Sequence, residues 1–230
     1  MPEPVLTARS EAHPRSRSER ADRTVNITIA ALGLLLLSPI ILVFALLVKV
    51  TSPGPIFYLQ PRVGLDRRRS NAKRRTYDRR TRDLGGRPFM IFKFRTMCLG
   101  AEAPNRAVWA TKEDARVTTV GRLMRTYRID EIPQLINVIR GDMNIVGPRP
   151  ERPSIFSRLC DDIEEYPLRQ RARPGITGLA QVNQSYDTNI DDVRRKVCYD
   201  LEYLRRQGFA EDLRIMARTV PVMIFRKGGW

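Results

Sequence analysis

The sequence predicts an α+β chain, mainly helical, seated on one face of a membrane. It reads as a monotopic protein with a re-entrant helix-break-helix, a small β element and interfacial amphipathic helices. Three observations lead there. An uncharged apolar run at 27–48 is interrupted at its centre by Ser38-Pro39. A segment at 88–97, PFMIFKFRTM, sets Lys93 and Arg95 among apolar residues, the pattern of a half-buried strand. Most of the remainder shows apolar residues at helical spacing between turns rich in Pro and Gly.

A chain of 230 residues suits one domain plus tails. Three spans follow: a disordered tail over 1–24, a membrane segment over 25–50, and a cytoplasmic domain over 51–230. Lys and Arg number 41 against 25 Asp and Glu, a net charge of +16 that calls for an anionic partner: nucleic acid, anionic lipid or a phosphorylated substrate. Cys98, Cys160 and Cys198 are far apart and form no CxxC pair, which argues against a disulfide framework or zinc site and for a reducing compartment. The single histidine, His13, falls in an Arg/Ser/Pro/Glu-rich stretch without apolar periodicity. Chemistry built on histidine is therefore disfavoured, and carboxylates, Arg, Lys or a bound cation remain.

The run at 27–48 is long enough to cross a bilayer core of ~30 Å at ~1.5 Å per residue. Pro39 cannot donate to the Leu35 carbonyl and crowds it, while the Ser38 hydroxyl can bond back one turn. A kinked spanning helix and a re-entrant one both satisfy this. Arg20 and Arg23 before the run, with Lys49 and Arg62 after it, give no inside–outside bias and favour the re-entrant form. Thr-Ser-Pro-Gly-Pro at 51–55 then breaks the chain, and 56–59 reads as a short strand or turn. The stretch 61–90 holds eleven Lys/Arg against three Asp, half the chain's net charge. It is either a solvated loop or an attachment to anionic headgroups, worth ~1 kcal/mol per basic residue. Beyond it, helices are expected at 117–127, from Ile132 to a stop at Gly141, and at 191–207 on Val193, Val197, Leu201 and Leu204. Gly-Pro-Arg-Pro at 147–150 and Arg-Pro-Gly-Ile-Thr-Gly at 173–178 read as extended turns, and 212–227 as an amphipathic helix in the membrane interface.

Asp130 and Glu131 are adjacent carboxylates just before the helix expected from Ile132, with Pro133 in its first turn. Alone, the pair reads most simply as a helix cap, placed where free N–H groups and the helix dipole favour negative charge. The neighbourhood adds a second reading. Arg125 and Arg128 precede the pair, and Arg149 and Arg173 stand in Pro-stiffened turns. Rigid arginine forks suit phosphate oxygens, and carboxylates with several of them suggest phosphoryl chemistry with Mg²⁺.

Five segments carry a resemblance: SPGPIFYLQPRVG (52–64), GRPFMIFKFRTM (86–97), RIDEIPQLINVIRGDMNIVGPRP (128–150), RPGITGLAQV (173–182) and YDLEYLRRQGFAEDLRIMART (199–219). From about Val25 to its end the chain resembles a bacterial sugar transferase of the monotopic phosphoglycosyl transferase family. These enzymes start exopolysaccharide and other glycoconjugate assembly on undecaprenyl phosphate. The resemblance implies that Asp130 is a nucleophile and that Glu131, with Asp130, binds Mg²⁺. It implies that Arg149 holds phosphate, that Arg173 helps bind the nucleotide, and that Ser38-Pro39 is the membrane break. Lys93 and Arg95 match the family's KFR segment and are assigned to the substrate phosphates. The implied partners are a UDP-sugar, undecaprenyl phosphate and membrane lipids at the cytoplasmic face of the inner membrane; nucleic acid is not expected, and a homodimer is left open.

Two departures stand out. A basic insertion over 66–84 separates segments that usually lie a few residues apart, and Pro61 replaces a more usual polar residue. The short tail resembles the minimal form of the family. The competing class is a non-enzymatic, membrane-anchored basic protein that binds nucleic acid or anionic lipid. An aromatic content of 7%, with few aromatics among the basic residues, gives that class no stacking platform.

Overall fold

A computed structural model describes residues 18–66, 86–101, 114–184 and 189–224. His13 and, apart from Asp66, the basic insertion at 66–84 lie outside the described residues.

The first helix, α1, spans Glu19–Thr51, 33 residues. Ser18 caps it by accepting from the Ala21 N–H, and Glu19 and Asp22 complement its dipole. The helix therefore begins ahead of the expected boundary at residue 25, and residues 19–24 are helical rather than disordered tail. It runs through Ser38 and Pro39 as one continuous helix, not the helix-break-helix expected there. The Ser38 hydroxyl donates to the Leu35 carbonyl at 2.7 Å, the one that loses its partner to Pro39. At ~1.5 Å per residue such a helix measures ~50 Å, and it is long and apolar enough to cross a membrane.

Both ends of α1 dock on the same body. Near its start, Asn26 accepts from the Ile145 N–H at 2.7 Å, and Asp22 accepts from the Asn144 amide at 3.3 Å. Arg23 donates to the carbonyls of Val138 and Ile139. Ala30 packs with Ile91, Val138 and Met143, and farther along Ile41, Phe44, Ala45 and Val48 pack on Phe94 and Met124. The opposite face exposes Leu32, Leu35, Leu36, Leu42, Val43 and Leu46.

Strands β1 (Phe57–Val63) and β2 (Pro88–Phe94) form an antiparallel hairpin with Phe57 opposite Phe94. Pro61 is tolerated because a two-stranded sheet leaves each strand a free edge. Helix α2 (Thr119–Thr126) starts on a Thr118 cap. A 3-10 turn, Ile129–Glu131, leads to α3 (Gln134–Arg140), which ends at Gly141 with φ 92° as the sequence predicts. The expected start at Ile132 is corrected: α3 begins at Gln134, with Pro133 as its N-cap, because the chain is still in the tighter turn at Asp130 and Glu131.

The two Gly/Pro motifs are stitched together. Strands β3 (Asn144–Val146) and β4 (Gly175–Thr177) pair in parallel, so part of 173–178 is strand rather than turn. Backbones meet so closely that a Cβ on Gly147 would lie 2.2 Å from the Arg173 carbonyl oxygen, and one on Gly175 would lie 2.1 Å from the Gly147 nitrogen. Only glycine fits either position.

The remaining helices are α4 (Pro153–Asp162), a 3-10 segment Tyr166–Arg171, α5 (Leu179–Asn183), α6 (Ile190–Arg206) and α7 (Phe209–Ile224). The predicted α6 residues Val193, Val197, Leu201 and Leu204 are all buried. Three of them join Val63, Phe156, Leu159, Ile163 and Tyr166 in one cluster, and Leu204 packs with Tyr203, Val146 and Ile215 in the next. Truncating any one of these to Ala costs ~2–5 kcal/mol. Helix α7 starts at Phe209, earlier than expected, and leaves Phe209, Leu213 and Val220 exposed.

Candidate active site

The site is built where β2, the 3-10 turn and the 147–150 loop converge. Arg128 precedes the turn with φ 54°, a left-handed conformation that costs a non-glycine residue ~1–2 kcal/mol. It reverses the chain out of α2. Ile129 anchors the far side of the turn in the cluster of Val48, Phe94 and Met124, at the last turns of α1. Between these two residues and α3, Asp130 and Glu131 are both buried.

Glu131 lies in a cage of cations. Lys93, from β2, donates to its Oε1 at 3.0 Å. Arg149 bonds both carboxylate oxygens, with Nη1 to Oε2 at 3.2 Å and Nη2 to Oε1. Arg128 Nη1 stands 3.6 Å from Oε2. Burial alone would raise the Glu131 pKa; Arg149, Lys93 and Arg128 outweigh it and hold the carboxyl well below the usual range. Lys93 moves the other way, lowered by burial against the attraction of Glu131.

Asp130 differs. Burial pushes its carboxyl up to about 6, and the neighbouring Glu131 charge adds to that, against Lys93, Arg125 and Arg149. The two carboxylates are thus held unequally: the surrounding cations favour the charged form of Glu131, while burial disfavours the Asp130 anion. Such an anion gains from any cation or electrophile brought to it.

The pair fits Mg²⁺ only as a bridge. Among the described residues no cluster of three or more His, Cys, Asp or Glu could hold a metal. Mg²⁺ is commonly held by one or two carboxylates completed by substrate phosphates, and Asp130 with Glu131 supplies that donor set.

The structure brings Asp130, Glu131, Lys93 and Arg149 together, with Arg125 and Arg128, which precede the carboxylates in the sequence, beside them. Arg125 is held by the Thr96 hydroxyl at 2.9 Å. Two assigned residues stand elsewhere. Arg173 reaches Glu19 at the start of α1, at 3.4 Å. Arg95, buried, donates to the carbonyl and hydroxyl of Ser52 at 2.8 Å each, where α1 ends.

Two supports escaped sequence reasoning. Arg62 Nη1 donates to the Pro150 carbonyl at 2.8 Å, and burial lowers its pKa to about 10. Arg169 is fully buried; its Nη2 lies 2.6 Å from Asp200 Oδ2 and 3.1 Å from the Arg149 carbonyl oxygen. Both arginines grip the backbone that presents Arg149. In the sequence they are two more arginines in a chain full of them. The sequence signal for Arg169 is Asp200, which stands on the apolar side of α6 one residue before Leu201.

The family profile described as bacterial sugar transferase matches residues 17–226. The UDP-glucose:undecaprenyl-phosphate glucose-1-phosphate transferase of Caulobacter vibrioides is 38% identical over 213 residues, 92% of this chain and 72% of that protein. The UDP-N-acetylgalactosamine-undecaprenyl-phosphate N-acetylgalactosaminephosphotransferase of Aeromonas hydrophila is 37% identical over 202 residues, 88% of this chain and 43% of that protein. The exopolysaccharide production protein ExoY of Sinorhizobium fredii is 33% identical over 222 residues, 90% of this chain and 87% of that protein. The chain thus spans less than half the length of some relatives and most of others.

Proposed function

The chain belongs to the bacterial sugar transferase family, and from that membership we propose that it moves a sugar-1-phosphate from a UDP-sugar to undecaprenyl phosphate, releasing UMP. The observation that carries the reading is the unequal carboxylate pair. Asp130 is buried and raised toward pH 6, beside a Glu131 fixed by Lys93 and Arg149.

The reaction runs in two halves. An Asp130 carboxylate oxygen attacks the β-phosphorus of the donor. The bond from that phosphorus to the bridging oxygen breaks, and UMP leaves with the oxygen. Asp130 then carries the sugar phosphate as an acyl phosphate ester. An oxygen of the lipid phosphate attacks the same phosphorus, Asp130 departs as a carboxylate, and the product is undecaprenyl diphosphate sugar. Covalent catalysis divides one difficult transfer into two. Lys93, Arg125 and Arg149 offset charge on the phosphates, and Glu131 holds two of these cations in register. Mg²⁺, held by Asp130 and Glu131 with the donor's phosphates, would neutralise further charge.

The seat is the cytoplasmic face of the inner membrane, with α1 re-entrant. Support comes from the docking of both ends of α1 on one body. Asn26 binds Ile145 at one end, and Ser52 binds Arg95 at the other. A helix spanning a core of ~30 Å would put those ends on opposite sides. The competing reading of a non-enzymatic basic protein draws no support from the Caulobacter vibrioides and Aeromonas hydrophila relatives, both named as transferases.

The test combines purified protein, undecaprenyl phosphate, Mg²⁺ and a panel of UDP-sugars: glucose, galactose and their N-acetylated counterparts. UMP release with formation of a lipid diphosphate sugar from at least one donor is expected. No turnover with any member of the panel would overturn the reading.

A further inference from the structure

Arg95 is 6% exposed, and its guanidinium is only partly matched. Nη2 donates twice, to the Ser52 carbonyl and hydroxyl. Nε and Nη1 are buried with no hydrogen-bond partner, and no carboxylate pairs with Arg95 among the described residues. The other buried arginine among the described residues, Arg169, faces Asp200. A buried guanidinium without a counter-charge is strongly unfavourable. The contact with Ser52 suits a cation at a helix C-terminus but occupies one nitrogen of three.

The surroundings are shaped for this guanidinium. A Cβ at residue 54 would lie 2.3 Å from Nη1, and Gly54 has φ 111°, so only glycine leaves room. Pro53 and Pro55 stiffen the same stretch. Exposed apolar residues stand on the adjoining elements, forming an apolar rim: Val50 on α1, Phe57 and Leu59 on β1, and Leu99, the nearest to Nη1. Leu99 lies over the Gly54 side of Nη1, its methyl carbons 3.0 and 3.2 Å from that same Cβ position. Arg95 follows Lys93 by two residues, and Thr96 holds Arg125. The guanidinium therefore lies at the exit of the membrane helix, on the segment that carries Lys93 to the Glu131 carboxylate.

We propose that Arg95, with Ser52 and Gly54, forms a lipid-phosphate site at the exit of α1, which receives the phosphate of the polyprenyl acceptor. This rests on the proposed function and deepens it, separating an acceptor site from the donor site around Arg149. Nε and Nη1, on either side of the Nη2 that Ser52 holds, each keep an N–H for an oxygen of a phosphate monoester. Leu99, itself exposed, swings aside to admit the headgroup. The apolar rim then meets the first isoprene units.

Two measurements on the full chain in detergent micelles test it. In the first, binding of a short-chain polyprenyl phosphate is compared with that of the matching polyprenol. The wild type is expected to favour the phosphate more than tenfold, and Arg95→Met to lose that preference. Gly54→Ala, which pushes on Nη1, is expected to weaken it in the same direction. Inorganic phosphate and phosphatidic acid are added as competitors. Equal competition by either would overturn the acceptor assignment, as would a preference that survives Arg95→Met. In the second, UMP release is followed in a single turnover without acceptor. Arg95→Met is expected to keep the UMP burst within about threefold while the KM for polyprenyl phosphate rises tenfold or more. A burst lost together with the second half would make Arg95 a donor-site or structural residue and overturn the proposal. A wild type with no burst at all would sink the covalent reading, and the binding measurement would still decide the role of Arg95.

Discussion

Arg169→Met isolates the support beneath Arg149. Arg169 is fully buried and Asp200 is 1% exposed. The guanidinium bonds Asp200 Oδ2 through Nε at 2.9 Å, the Tyr166 hydroxyl through Nη1 at 2.8 Å and the Arg149 carbonyl through Nη2 at 3.1 Å. Burial opposes its charge, yet Asp200 more than offsets that, and its pKa is raised. Methionine fills much of the volume but takes from the buried Asp200 charge its guanidinium partner, which costs about 3–5 kcal/mol. Losing the donors to Tyr166 and Arg149 adds about 1 kcal/mol each. The double variant Arg169→Met/Asp200→Leu removes both charges and is expected to recover most of the stability. It does not restore the donor to the Arg149 carbonyl, so the KM for the UDP-sugar should stay raised, about tenfold. Denaturant unfolding in micelles gives the stabilities, and steady-state kinetics gives the KM. A single variant that loses under 1 kcal/mol, or a double no more stable than the single, would refute the buried-charge argument. A double with wild-type KM would refute the positioning argument.

Three further outcomes follow from the same geometry. Arg149→Lys keeps the charge but loses the fork that meets both oxygens of Glu131, and kcat/KM should fall about tenfold or more in the UMP assay. The Glu151 pKa is lowered to about 2, since Lys196, Arg62 and Arg169 outweigh the effect of burial. Its stabilisation, up to about 3 kcal/mol, is therefore present above its unfolded value of 4.5 and is lost as pH falls toward 2. Glu151→Gln should remove that part of the acid-side loss in unfolding measured against pH. If α1 is re-entrant, a cysteine introduced by Ser10→Cys in a background without Cys98, Cys160 and Cys198 stays unlabelled by an impermeant maleimide on intact cells. Replacing Ser38 and Pro39 by Ala and Leu should expose it, and labelling with Ser38-Pro39 intact would contradict the topology.

Much of this was legible because it is local. The apolar run, the αL stop at Gly141 and the α6 stripe are periodic patterns or single-residue signals that hold whatever surrounds them. The Asp130-Glu131 pair was legible as a candidate, but its inequality was not. That depends on Lys93 arriving from β2 and Arg149 from a loop, contacts far apart in sequence. The start of α3 is ambiguous in the sequence because Pro133 is compatible with an N-cap and with a first turn. In the sequence Arg23 is one flanking charge among several, yet it holds the carbonyls of Val138 and Ile139. Arg95 and Arg173 share basic motifs with Arg149, and the fold places them at opposite ends of α1. In a chain with 41 basic residues, composition cannot say which arginine faces a carboxylate and which waits for an anion.

The most direct measurement of the central claim is the mass of the protein after mixing with its UDP-sugar donor and Mg²⁺ in the absence of acceptor. The account predicts a gain equal to one sugar phosphate, located by peptide fragmentation on Asp130 and absent from a folded Asp130→Asn protein. Adding undecaprenyl phosphate should discharge it. An unmodified Asp130 under conditions where turnover proceeds, or UMP release by Asp130→Asn at the wild-type rate, would contradict a covalent transfer through this carboxylate.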